Sequence, residues 1–61
     1  MITPDQRGHA WHAGIAAATD YLIHGARPRS PYGRYSRLHT IWQRAVDRTC
    51  AALRPIMETY P

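Results

Sequence analysis

The sequence predicts an all-α fold: an antiparallel two-helix hairpin with a short C-terminal helical turn, dimerising into a four-helix bundle. Three observations predict it. Two long segments repeat apolar residues at helical period. Between them, the run G-A-R-P-R-S-P-Y-G at residues 25–33 carries enough glycine and proline to forbid a continuous helix. Finally, a single domain of 61 residues buries too small a share of its surface to be more than marginally stable alone. The only cysteine, Cys50, excludes an intrachain disulfide, which leaves self-association or docking on a larger target as the source of extra stability.

The first helix is expected over about 4–24. Thr3-Pro4-Asp5-Gln6 supplies a capping residue, a proline at the first helical position, an acid at the positive end of the dipole and the glutamine of a capping box. Trp11, Ile15, Ala18 and Leu22 then recur at i, i+4, i+7 and i+11 and are the predicted core stripe. Beside them runs a line of mostly small residues, Ala10, Gly14, Ala17 and Tyr21. A glycine inside a helix costs about 1 kcal/mol against alanine, so Gly14 marks either a tolerated weak spot or the close approach of another backbone. His24-Gly25 reads as the stop.

A basic elbow over 25–33 leads into a second helix over about 34–53. Its start is set by Ser30-Pro31 or, a turn later, by Ser36. On one face lie Tyr35, Leu38, Trp42, Ala45, Val46, Thr49, Leu53 and Ile56, while Arg37, Arg44 and Arg48 form a separate edge. Pro55 would cost an unbroken helix one hydrogen bond and crowd the carbonyl of Ala51. A stop or kink near Leu53 is expected, then a turn over 55–60 returning Ile56 and Met57 to the core.

Charge dominates the functional reading. The formal net charge is +4, every cation is arginine, and six of the eight arginines fall between Arg27 and Arg48, where Asp47 is the only acid. Arginine's planar fork suits phosphate, carboxylate and stacked bases. Interleaved with Tyr32 and Tyr35, the arginines form a surface of the kind that contacts RNA, guanidinium on phosphate and rings on unpaired bases. The candidate contact residues are Arg27, Arg29, Tyr32, Arg34, Arg37, Arg44 and Arg48.

Other chemistry is poorly supported. His9 and His12 stand at i, i+3, and Asp20 and His24 at i, i+4, but the two pairs are about 16 Å apart along a helix and cannot share a metal ion. His39 and Cys50 are three turns apart on one helix, too far for a base and its nucleophile. There is no glycine-rich phosphate cradle and no carboxylate pair. The expectation is a non-enzymatic protein with no cofactor, no metal and no small-molecule substrate. No apolar run reaches the roughly 20 residues of a membrane span, and Met1 to Asp5 lacks a signal-peptide pattern, so the expected location is cytoplasmic and away from membrane.

The run R-G-H-A-W-H-A-G-I-A-A at 7–17, S-P-Y at 30–32, Arg37, Trp42 and Arg44-Ala45 resembles the bacterial ribosome modulation factor family. Members are small basic helical hairpins with A-G-I-A in the first helix, C-P-Y in the loop and an arginine followed by tryptophans in the second. The similarity covers about Arg7 to Arg48. Here Ser30 stands in place of the cysteine, the second-helix glycine and one tryptophan are missing, lysine is absent and the C-terminal tail differs. The resemblance implies binding to ribosomal RNA and proteins and suppression of translation, carried by Pro31, Tyr32, Arg37 and Trp42, the last as a core residue.

Two functions from different classes remain open. One is an RNA or ribonucleoprotein binder, with the ribosome as leading target, that inhibits what it binds. The other is a phage or mobile-element type of inhibitor or adaptor, its arginines meeting acidic side chains of a host protein complex and the Trp11 or Ile41 surface supplying apolar anchors. Phosphate and carboxylate ask for the same fork.

Overall fold

The computed structural model describes residues 2–59. It is all-α, with α1 at Pro4–His24 and α2 at Arg37–Thr59 packed along each other, and among the described residues there is no strand. The start of α1 is written locally. Thr3 Oγ1 accepts the Gln6 N–H at 3.2 Å while Gln6 Oε1 accepts the Thr3 N–H at 3.0 Å, closing the capping box. Gly25 ends the helix in the left-handed region, φ 74°, and its N–H bonds Tyr21 O at 2.8 Å.

The helices run parallel, which corrects the expected antiparallel hairpin. Ile2 lies with Ser36, Arg37 and Leu38, Gly14 faces Trp42 and Ala45, and Tyr21 lies with Cys50, Ala51 and Arg54. Residue numbers rise together along both helices. The reason is the connection. Arg27 and Ser30 each precede a proline and are pushed to extended backbone. At about 3.1 Å per residue, residues 25–36 span roughly 37 Å, enough to return along the roughly 31 Å rise of α1. This segment is therefore a strap laid against the helix pair, with Pro28 beside Tyr21 and Cys50 and Tyr32 against Ala18, Trp42 and Val46.

The core lies on the small-residue side of α1. Ala10, Gly14 and Ala18 are buried against Trp42, Ala45 and Val46. Of the expected stripe only Ala18 is buried, while Trp11, Ile15 and Leu22 remain half-exposed. Small side chains win because they let the second backbone approach, so that many atoms reach van der Waals contact at once. Gly14 marks that approach. A Cβ there would lie 2.5 Å from Trp42 O.

α2 begins at Arg37, later than expected, because Ser36 is the cap. Its Oγ accepts the His39 N–H at 3.2 Å and donates to Gly33 O at 2.8 Å. Ser30 instead accepts the Tyr32 N–H at 3.1 Å and shapes the strap. Tyr35 therefore precedes the helix and is 95% exposed, off the apolar face. At the other end α2 runs through Pro55 to Thr59, with no stop near Leu53. Pro55 and Ala51 are both exposed, so the carbonyl that proline leaves unbonded faces water. Ile56 and Met57 stay 53% and 43% exposed and do not return to the core. Tyr60, the end of the expected turn, lies outside the described residues. Among the described residues no helix is long and apolar enough to cross a membrane.

Candidate nucleic-acid interface

The strap and the outer edge of α2 place the arginines. Arg27, Arg29 and Arg34 are exposed on the strap, and Arg37, Arg44 and Arg48 are exposed on α2. Among the described residues none of them joins an ion pair; the pair that forms is His24 with Asp20 at 3.9 Å, both exposed. Asp47, the acid nearest in sequence, accepts a hydrogen bond from Gln43 Nε2 at 3.1 Å. No acid among the described residues neutralises these six side chains.

That charge is spread along the molecule and not gathered at a tip. Arg27 and Arg29 flank Pro28, which sits toward the C-terminal ends of both helices beside Tyr21 and Cys50. Arg37 and Arg44 lie at the other end, where they meet Ile2, Ile41 and Arg7. The tyrosines divide the work differently from expectation. Tyr32 is half-buried on the core cluster, whereas Tyr35, between Arg34 and Arg37, presents its ring to solvent.

Sequence reasoning missed Arg7. It stands one turn before Trp11, at i, i+4, so the two share a face of α1. Since α2 runs parallel, that face meets Ile41 and Arg44 around an open groove of about 600 Å³. Arg48 closes over Trp11, its guanidinium carbon 6.0 Å from the ring centroid, at the outer limit of a cation–π contact.

The remaining candidates for chemistry stay apart. His9 and His12 are exposed, and among the described residues no three of His, Cys, Asp or Glu come together as they would around a metal ion. His39 stacks on Trp42, centroids 5.9 Å apart and planes at 25°. Cys50 is half-buried against the core cluster, as a small hydrophobe would be.

Compared with known proteins, the chain matches no family model, no curated protein and no solved structure.

Proposed function

We propose that this chain is a non-enzymatic RNA-binding protein that docks an arginine-bearing surface on a ribonucleoprotein and inhibits it. One observation carries the reading. The six arginines between residues 27 and 48 are all exposed, and among the described residues none is in an ion pair. Beside them Tyr35, 95% exposed, offers a ring on which an unpaired base can stack, a feature that phosphate-rich single strands use and an acidic protein face does not require. The ribosome is the leading target, because the residues shared with the ribosome modulation factor family include Arg37 and the Pro31-Tyr32 pair that shapes the strap.

The test is binding to purified ribosomes and to a single-stranded RNA. Replacing Arg29, Arg34 and Arg37 by Gln removes contacts of about 1.5–3 kcal/mol each if all three are charge-assisted. Affinity is expected to fall by several decades at low salt, with a shallower slope of log affinity against log salt because fewer counterions are released. Helical circular dichroism is expected to be unchanged, since all three side chains are exposed. Unchanged affinity would overturn the reading. So would the absence of measurable binding to both ribosomes and single-stranded RNA at low salt.

A further inference from the structure

Gly8 and Gly14 both sit inside α1, yet only one of them is explained by the fold. Gly14 has no room for a side chain, since a Cβ there meets Trp42 O at 2.5 Å and Ala45 Cβ at 2.6 Å. A Cβ on Gly8 would meet nothing within 4 Å. The helix bears the roughly 1 kcal/mol cost of a glycine at that point, and nothing in the fold uses the space. That space is part of the groove at the N-terminal end of the helix pair, where Ile2, Trp11 and Ile41 form apolar walls and Arg7 and Arg44 stand at the rim.

We propose that this groove is a docking site for an acidic amphipathic helix of a partner protein, apart from the strap arginines and sharing only Arg44 with the RNA surface. An aliphatic side chain of the partner enters over Gly8 between Trp11 and Ile41. Carboxylates on either side of it pair with Arg7 and Arg44, both exposed and in no ion pair among the described residues. Charge complementarity selects this occupant. A second copy of the chain carries a net charge of +4 and would bring like charge to an arginine rim. RNA would leave the aliphatic surface of Ile2 and Ile41 without a matching partner, whereas an amphipathic helix supplies one apolar anchor per turn flanked by acids. The strap arginines Arg27, Arg29 and Arg34 are not in this groove, so the two surfaces are separable by mutation.

The experiment uses the full chain and a fluorescein-labelled synthetic peptide of about fourteen residues, four helical turns, with a leucine stripe flanked by glutamates. A control peptide carries glutamine at those positions. Binding is read by anisotropy. The glutamate peptide is expected to bind roughly tenfold or more tightly than the glutamine one, and Arg7→Gln with Arg44→Gln is expected to cost a similar factor, as loss of charge-assisted contacts does. Gly8→Phe fills the groove and is expected to abolish peptide binding while leaving RNA binding intact and without lowering the melting temperature. If Gly8→Phe disturbs the fold, the double charge reversal Arg7→Glu and Arg44→Glu takes its place, expected to reject the glutamate peptide and accept one with lysines instead. Three results would overturn the proposal: equal binding of both peptides, oligouridine binding that Gly8→Phe abolishes, which would make RNA the occupant, or micromolar self-association of the chain that Gly8→Phe abolishes, which would make a second copy the occupant.

Discussion

The carbonyl oxygen of Trp42 lies where a side chain on Gly14 would begin: a Cβ built at Gly14 comes within 2.5 Å of it. This single approach sets the distance between the helices. It turns a glycine that weakens α1 locally into the residue that lets α2 pack against it.

Gly14→Ala is therefore expected to destabilise the fold by about 1–3 kcal/mol, the range for overpacking a close contact, despite a gain of about 1 kcal/mol in helix propensity. Gly8→Ala makes the same chemical change six residues earlier, in open space, and is expected to stabilise by about 1 kcal/mol. Thermal melts read the pair, with shifts of opposite sign and about 4–8 °C per kcal/mol for a domain of this size. Equal shifts would mean that α2 does not approach α1 at Gly14.

The parallel course of the helices is testable through the single cysteine. A nitroxide attached to Cys50 should broaden the amide resonances of Tyr21 and Leu22, since Tyr21 lies beside Cys50. Resonances near Arg7, about 21 Å further along α1, should be affected far less. An antiparallel pair would place Cys50 opposite the first half of α1 and reverse the pattern.

The two tyrosines should separate stability from binding. Tyr32→Ala removes a ring packed on Ala18, Trp42 and Val46 and is expected to lower the melting temperature. Tyr35→Ala is expected to leave stability within about 0.5 kcal/mol and to weaken single-stranded RNA binding by about 1–3 kcal/mol, the worth of one stacked base. Loss of RNA affinity in the first variant but not the second would remove Tyr35 from the interface.

Pro55 withholds a backbone donor from the last turns of α2. Pro55→Ala should raise helical ellipticity and stabilise by less than the roughly 3 kcal/mol of a helix interior, because both Pro55 and Ala51 face water. Unchanged ellipticity would show that this end of α2 gains nothing from the missing bond.

Features that depend on a few neighbouring residues were legible in the sequence. The capping box of Thr3 and Gln6, the left-handed stop at Gly25 and the alternative cap at Ser36 rest on hydrogen bonds or dihedral angles set within about one turn, while the all-α class and the arginine edge of α2 rest on helical periodicity within one segment. Gly14 was legible as a question, since its cost is local while its reason lies on the other helix.

The tertiary structure alone decided the direction of α2, the buried side of α1 and the division between Tyr32 and Tyr35. Direction follows from comparing the reach of the strap with the length of α1, two quantities that no short window of sequence contains. The buried side follows from close approach: periodicity places Trp11, Ile15 and Leu22 on one stripe and Ala10, Gly14 and Ala17 beside it, and only the second backbone, arriving at contact distance, selects the smaller residues. The same parallel return brings Arg7 and Gly8 of α1 to Ile41 and Arg44 of α2, so the groove exists because of how the chain comes back and not because of any motif within it.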